Sequence, residues 1–280
     1  MHLEIALGCL EKLPLATPAI AALLHRYPHD FLYGAVSPDI FLSKMRAGYL
    51  FHCHNWRMGK LLLSEATSDR LQASVFGYLV HLAADVVAHN YFVPYKTIRS
   101  FSSRIVVPHA YWEMRFDLTV PPSAWRAVPT IVRGNYQEFD RLLERVLKKT
   151  LFSFKTSKRI FKSILVIHKM EQLQESLRRF ARQSRLPLEE SRIVHFRRLV
   201  DVTVDEFLRL PDKARCLSGD PTGHPREMEA IRLMKRMRRA MRRRQLRKEQ
   251  GDHLVALCDR TLLAGMYQRD IEWPDIFDVM

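Results

Sequence analysis

Three side chains that commonly bind metal ions recur at four-residue intervals inside an otherwise apolar stretch. The segment FGYLVHLAADVVAHNYFV, residues 76–93, contains His81, Asp85 and His89. In a helix each four-residue step turns by about 40°, so the three residues lie on one face and spread over about 12 Å. Neighbours such as His81 and Asp85 can share an ion, but all three cannot, because zinc–ligand bonds are about 2 Å long. The spacing therefore predicts two or more metal ions along this face, with Asp85 able to bridge.

The alternative is a structural interpretation, in which a buried helix holds two neutral histidines and one hydrogen-bonded aspartate. A buried aspartate needs a partner, and such partners also occur without a metal. The rest of the first 113 residues favours the metal, because zinc sites draw histidines and carboxylates from several elements. The further candidates are His2, Asp39 in GAVSPDIF, His52 and His54 in FHCHNW, and His109 and Glu113 at helical spacing in HAYWE.

The order of these motifs, GAVSPD, HCHNWRMG, HxxxD, a single His and HxxxE, resembles the zinc-dependent phospholipase C family. That family is related to the fungal single-strand nucleases, and the resemblance covers residues 1 to about 115. It implies an all-helical fold, a cluster of two or three zinc ions and hydrolysis of phosphoesters.

The resemblance also implies a ligand for each ion. One zinc would be held by Asp39, His52, His81 and Asp85, and a second by His89, His109 and Glu113. A third would lie between Asp85 and His2. Within HCHNWRMG, His52 is preferred because the family's histidine stands seven residues before a glycine, as His52 stands before Gly59. His54 remains the alternative.

Two departures from the family pattern concern the third ion and the substrate. Secreted members bind the third zinc through a mature N-terminal tryptophan, whereas this chain starts Met-His. Either His2 acts with the backbone of Met1, or the third site is weak or absent. The aromatic residue that follows the metal-binding aspartate, and that contacts choline in secreted members, is replaced by Ile40, with Tyr49 as a nearby aromatic.

The expected chemistry is attack on phosphorus by water activated between zinc ions, with Asp85 bridging them and Asp39 as general base. Phospholipids are the leading substrate class. One alternative is a nuclease-like phosphodiesterase. Another is a non-enzymatic helical scaffold with structural metal and an Arg-rich helix that binds membrane or nucleic acid. Iron or manganese would suit some of the same ligands.

The elements that must position these residues are all predicted to be helices. Apolar residues recur at helical spacing, strand-like alternation is weak, and prolines fall mostly between segments. The sequence predicts an all-α fold, with a phospholipase C-like helical domain over residues 1–215 and a basic helical extension over 216–280. The Gly- and Pro-containing stretch CLSGDPTGHPRE separates the two.

The formal net charge of +15 predicts an anionic partner. Residues 232–248 contain ten Lys and Arg and no acidic residue, beside methionines at helical spacing. This helix either packs its methionines on the core, or lies on anionic lipid, or contacts nucleic acid, which the absence of aromatic residues disfavours. The residues expected at an anionic surface are Arg232, Lys235, Arg236, Arg239, Arg242 and Arg243.

Location is predicted from the cysteines and the N-terminus. Four scattered cysteines form no CxxC pair, and the first 30 residues lack the basic start and apolar run of a signal peptide. We expect a cytoplasmic protein, with peripheral association with a membrane as the alternative. Nothing in the sequence favours a particular oligomeric state.

Overall fold

The computed structural model describes residues 1–40, 52–103, 109–147, 153–170, 175–179 and 189–279. These residues form helices and turns, with no strand among them, which confirms the predicted all-α fold. The first half contains α1 (His2–Glu11), α2 (Pro18–Arg26), α3 (Pro28–Val36), α4 (Trp56–Ser64), α5 (Asp69–Val87) and α6 (Val93–Arg99). The second half contains α7 (His109–Asp117), α8 (Pro122–Trp125), α9 (Val128–Arg133), α10 (Gln137–Val146), α11 (Phe154–Lys169), α12 (Glu190–Arg209), α13 (His224–Arg242) and α14 (Lys248–Ala264).

Helix α5 is the centre of the molecule. Its first turn is capped by Ser68, whose hydroxyl accepts a hydrogen bond from the backbone N–H of Leu71 at 3.3 Å. Beyond Leu71 nearly every side chain of α5 is buried against α3, α4 and α12. The continuous helical segment Asp69–Ser102 is long and apolar enough to cross a membrane, but 89% of its most apolar window is buried inside the protein. Such burial is typical of a core helix.

The contact between α3 and α5 is unusually close because glycines face the opposite backbone. A Cβ atom on Gly34 would lie 1.8 Å from the carbonyl oxygen of Ser74, and one on Gly77 would lie 2.0 Å from that of Phe31. Any larger residue at either position would push the two helices apart. This contact fixes the short 3₁₀ turn Ser37–Ile40, which follows α3 and carries Asp39, beside α5.

A π-helical turn, Ala88–Phe92, connects α5 to α6 and carries His89. The sequence predicts a regular α-helix here, whereas the structure widens it by one residue per hydrogen-bonded turn. Single π-turns of this kind concentrate at functional sites. Pro94 stands at the start of α6, where the missing N–H is tolerated.

The C-terminal helices α13 and α14 both pack against α6. The buried apolar residues form one continuous cluster from Leu3 to Ile276, so the extension shares a core with the first 215 residues. Whether residues 216–280 form a separate domain stays a prediction. Of the three interpretations of the methionine-rich helix, packing is the one the structure supports, because Met234 and Met237 of α13 are fully buried.

Candidate metal centre

Four side chains from three elements converge beside α5. Asp39 comes from the 3₁₀ turn after α3, His54 from the turn before α4, and His81 and Asp85 from α5. His54 Nε2 lies 3.0 Å from His81 Nε2 and 3.4 Å from both Asp39 Oδ1 and Asp85 Oδ2. Tetrahedral ligands at about 2.0–2.1 Å from an ion lie about 3.3 Å from one another. The spacing of this first group is therefore that of ligands around a common cation.

The hydrogen bonds of the first group show that its inner atoms are arranged for a cation. His81 Nδ1 lies 2.8 Å from the carbonyl oxygen of Ala35, which only accepts, so Nδ1 carries a proton and Nε2 is the nitrogen available to a cation. His81 Nε2 lies 3.2 Å from Asp85 Oδ2, which is buried and has no hydrogen-bond partner among the residues that the structure describes. An unpaired buried carboxylate oxygen is costly, and a cation at this point would satisfy both atoms.

A second group lies one turn further along. His89 Nε2 and His109 Nε2 lie 3.1 Å and 3.0 Å from the same oxygen, Oε1 of Glu113. The other nitrogen of His89, Nδ1, donates to the carbonyl oxygen of Pro221 at 2.6 Å, which leaves Nε2 as the nitrogen that faces the carboxylate. A proton or a metal ion can occupy such a nitrogen–carboxylate contact, so the ligand atoms of a cation site are already together.

Asp85 lies between the two groups. Its Oδ2 faces His54 and His81, while its Oδ1 lies 3.3 Å from His2 Nε2 and 4.0 Å from His89 Nε2. The ring of His2 stacks on that of His81, with centroids 3.6 Å apart. Each oxygen of one carboxylate thus faces a different set of imidazoles, an arrangement open to a bridging ligand.

The N-terminus contributes through His2. The amino group of Met1 forms an ion pair with Asp117 Oδ1 at 2.5 Å, so it faces a carboxylate rather than the imidazole cluster. The buried Nδ1 of His2 has no hydrogen-bond partner among the described residues. At the predicted third site, His2 therefore lies beside Asp85 as expected. The amino group of Met1 does not join it, because that group pairs with Asp117.

The electrostatics of the cluster keep its carboxylates ionised. Burial raises the pKa of Asp85, but the surrounding imidazoles, His81 first, lower it more, so the net pKa lies well below its ordinary value. Glu113 behaves in the same way through its hydrogen bonds to His109 and His89. Burial, helped by His81, lowers the pKa of His2 to about 3, so His2 is neutral at pH 7. Burial lowers the pKa of His81, but Asp85 and Asp39 raise it more, so a metal ion that binds His81 would displace a proton.

His109 is held between two carboxylates. Its Nε2 faces Glu113, and its Nδ1 lies 3.1 Å from Oε2 of Glu227. Burial lowers the pKa of His109, but hydrogen bonds to Glu113 and Glu227 raise it more, to about 10. The surroundings of this ring therefore favour positive charge.

The structure favours His54 over His52 as the metal ligand of this turn. It is His54 whose Nε2 lies among Asp39, His81 and Asp85, whereas His52 Nδ1 accepts a hydrogen bond from the backbone N–H of His54 at 3.1 Å. The distance along the chain to Gly59 does not determine which of two histidines in one turn faces inward. Tyr49 lies outside the described residues, and Ile40 is fully buried in the core.

Three groups that contact the histidines of the cluster could not be predicted from the sequence. Glu227 and the carbonyl of Pro221 belong to a segment far along the chain from the histidines that they contact. Cys53 Sγ lies 3.1 Å from His54 Nδ1, but its role depends on a contact between adjacent side chains, which spacing does not reveal.

Comparison with known proteins agrees with this geometry. The family model for zinc-dependent phospholipase C matches residues 1–160. The chain belongs to the zinc-dependent phospholipase C family. No curated protein and no solved structure matches the chain. The matched part of this phospholipase C family member contains all nine predicted ligands, whereas Pro221 and Glu227 lie beyond it. Membership supports a zinc-dependent hydrolase, and the two groups supply ligands suited to zinc.

Proposed function

We propose that this protein is a phosphoesterase that uses two or three zinc ions to hydrolyse phospholipids in the manner of a phospholipase C. The observation that carries the proposal is the position of Asp85, whose two oxygens face two different sets of histidines. A carboxylate shared by neighbouring ions is what a multi-metal phosphoesterase needs, because the ions must act on one phosphate together.

The residues fit zinc. We assign Asp39, His54, His81 and Asp85 to one ion and His89, His109 and Glu113 to another, with His2 and Asp85 available to a third. When bound, zinc ions lower the pKa of water and neutralise negative charge on phosphoryl oxygens. The carbonyl acceptors at His81 and His89 hold both rings in the tautomer that a metal ligand requires.

The two carboxylates predicted to be catalytic have different roles in this proposal. The side chain of Asp85 is 2% exposed, so it holds metal and does not reach substrate. The side chain of Asp39 is 38% exposed and lines a cavity of about 140 Å³ together with His2 and Glu113. Asp39 is therefore the carboxylate that can accept a proton from the attacking water.

The same cavity supports a substrate with apolar parts. Its remaining walls include Phe92, Val93, Phe116 and Phe196, and the last two also line a second cleft of about 500 Å³. Apolar walls beside a cationic site suit an ester that joins a phosphate to a lipid. Among the described residues, no Lys or Arg lines the smaller cavity, whereas a nucleic-acid backbone is bound mainly through cationic and polar side chains.

The proposal is tested with Asp85→Asn, which keeps the shape of the side chain but weakens a ligand shared by two groups. We expect wild-type protein to carry two or three zinc ions per chain by plasma mass spectrometry, and the variant to lose zinc. Hydrolysis of phosphatidylcholine and phosphatidylserine vesicles should fall by about 100-fold or more, since lost metal catalysis costs several kcal/mol. Asp212→Asn, an exposed aspartate, is the control that leaves both properties unchanged.

The other outcomes separate the remaining functions. Hydrolysis of single-stranded DNA in preference to lipid would identify a nuclease-like phosphodiesterase. Zinc that is retained with no turnover of any phosphoester would indicate a structural metal in a binding scaffold. Full zinc content and turnover in Asp85→Asn would contradict the assignment of the site.

We further propose that α13 contacts an anionic membrane surface from the cytoplasmic side. Within the predicted set, Arg232 pairs with Glu229 and Arg236 pairs with Asp275. The other four, Lys235, Arg239, Arg242 and Arg243, are exposed and form no ion pair with any residue that the structure describes. Lys235, Arg239 and Arg242 line a cleft of about 610 Å³ with the side chains of Ser102 and Ser103. Uncompensated cations beside hydroxyl groups suit a phosphate head group.

A further inference from the structure

The ring of His109 contacts a carboxylate through each of its nitrogens, one from inside and one from outside the family-matched region. Nε2 lies 3.0 Å from Glu113 Oε1, and Nδ1 lies 3.1 Å from Glu227 Oε2. Glu227 lies in the first turn of α13, beyond the part of the chain that the family model matches. Its side chain is 21% exposed and that of His109 is 24% exposed, so both are largely shielded from water.

Only one of these nitrogens can serve an ion in the second group. Glu113 Oε1 is also 3.1 Å from His89 Nε2, so the ligand atoms meet on the Nε2 side of His109. Nδ1 is then left with its proton, which it donates to Glu227. A carboxylate that accepts from the outer nitrogen of a metal-binding histidine fixes the orientation of the ring and raises its basicity as a ligand.

Glu227 is held in place by the turn that precedes α13. Gly223 has a left-handed φ of 56°, and a Cβ atom there would lie 2.3 Å from Cβ of His89. The same turn supplies the Pro221 carbonyl to His89 Nδ1, and the carbonyl of Asp220 accepts from Asn90 Nδ2 at 2.7 Å. The turn is thus packed directly on the π-helical segment that carries His89.

Arg226 anchors the start of α13 from the other side. Its guanidinium group is buried and donates to the carbonyl oxygens of Asn90, Gly265 and Gln268, at 3.2, 3.3 and 2.9 Å. Arg226 and the turn before it connect the same backbone segment, residues 88–92, to the C-terminal helices. Glu227 therefore has little freedom to move away from His109.

We propose that Glu227 is a positioning residue of the second metal group, which orients His109 so that Nε2 faces the ion. The proposal rests on the proposed zinc function and deepens it, because the C-terminal segment 219–227 then provides the hydrogen-bond acceptors behind two histidines of that group. The basic extension is in this sense part of the metal site and not only a surface for anionic partners.

Zinc affinity, measured by competition with a chromophoric chelator on the full chain, tests this proposal. Glu227→Ala should weaken one class of zinc site by about 10–100-fold, the usual effect of removing such a partner. Glu227→Gln keeps an acceptor oxygen and should recover most of the affinity. Glu227→Asp keeps the charge but falls short of Nδ1, and should behave as Glu227→Ala does. Glu229→Ala, two residues along the same helix with a side chain that is 45% exposed, is the matched control and should match wild type.

Each outcome bears on one proposal or on both. Unchanged affinity in Glu227→Ala, with wild-type protein binding zinc, would overturn the role of Glu227 alone. A wild-type protein that binds no zinc would overturn the proposed function as well. If Glu227→Ala does not fold by circular dichroism, the remaining pair decides, because equal zinc affinity in the Asp and Gln variants would contradict the proposal.

Discussion

At the scale of single residues, the metal centre depends on which nitrogen of each histidine faces inward. His81 and His89 are each fixed by a backbone carbonyl, and His109 by a carboxylate. His54 has Cys53 Sγ beside its outer nitrogen at 3.1 Å. These outer contacts set the orientation of the rings before any ion arrives, so little entropy remains to be lost when a metal binds.

The adjacent pair His52 and His54 offers a direct test of the ligand assignment. His54→Ala removes one imidazole ligand from the first group, so we expect loss of zinc and a fall in phosphoester hydrolysis of about 100-fold or more. His52→Ala removes a ring that contacts the backbone of His54, and its effect should stay within about tenfold. Zinc content and turnover are measured side by side. The opposite ranking of the two variants would return the ligand role to His52.

Spacing alone identifies the residues that share one helix, and little beyond them. His81 and Asp85 follow from the four-residue interval, because one turn of helix brings them together. The choice between His52 and His54 does not follow, because in a turn the backbone conformation decides which side chain points inward. Glu227 could not be found either, since its contact with His109 depends on how distant helices pack.

At the scale of elements, the close contact of α3 and α5 fixes the positions of the ligands in the first group. Gly34 and Gly77 allow the two backbones to touch, and one residue after Gly34 the carbonyl of Ala35 meets His81 Nδ1. A wider separation would remove this hydrogen bond and move Asp39 away from His54. The helices were predictable from periodicity, whereas this contact was not, because a lone glycine in a helical pattern has several possible explanations.

Two Gly→Ala substitutions test this contact, because they should change the free energy of unfolding in opposite directions. In Gly77→Ala the added carbon would lie 2.0 Å from a backbone oxygen, so the free energy of unfolding should fall by about 1–3 kcal/mol and zinc affinity should fall with it. In Gly8→Ala, inside α1, no described atom outside the neighbouring helix backbone lies within 4 Å of the added carbon, and stability should rise by about 0.5–1 kcal/mol. Urea unfolding measures both. A Gly77→Ala protein as stable as wild type would contradict the role of the contact.

The π-turn at Ala88–Phe92 is the second element-level feature, and it differs from the regular α-helix that the sequence predicts. An uninterrupted α-helix has the same apolar pattern, so periodicity predicts one through residue 91. The structure instead widens the helix at the position where His89 must reach Glu113. His89 Nε2 remains 4.0 Å from Asp85, which keeps the two ligand groups adjacent but distinct.

At the scale of the whole molecule, the surplus of positive charge is concentrated where it stays exposed. The central methionines of α13, Met234 and Met237, are fully buried, so attraction to a membrane must come mainly from its cationic side chains. Such attraction is electrostatic and should weaken as salt screens it.

Vesicle binding tests this surface. Replacing Lys235, Arg239, Arg242 and Arg243 by Ala should weaken binding to phosphatidylserine-containing vesicles by about 100-fold or more at low salt, since each cation near the surface contributes about 1 kcal/mol. Cosedimentation at two salt concentrations provides the measurement. Binding that is unchanged at low salt would exclude α13 as the membrane contact.

The control for this experiment removes the same charge from elsewhere on the surface. Replacing the exposed residues Lys60, Arg133, Arg141 and Lys155 by Ala lowers the net charge from +15 to +11, the same value as in the α13 variant. The control should keep most of its vesicle binding. Equal losses in both variants would attribute binding to overall charge rather than to α13.

The hydrogen bond between His89 and Pro221 joins residues that are 132 positions apart, and this separation sets an order of events during synthesis. A ribosome adding 5–20 residues per second needs about 7–26 s to travel from one to the other. Asp39, His54, His81 and Asp85 leave the ribosome well before the acceptors behind His89 and His109 exist. The second group can therefore be completed only late in synthesis, after the turn that holds Pro221 and the start of α13 have been made.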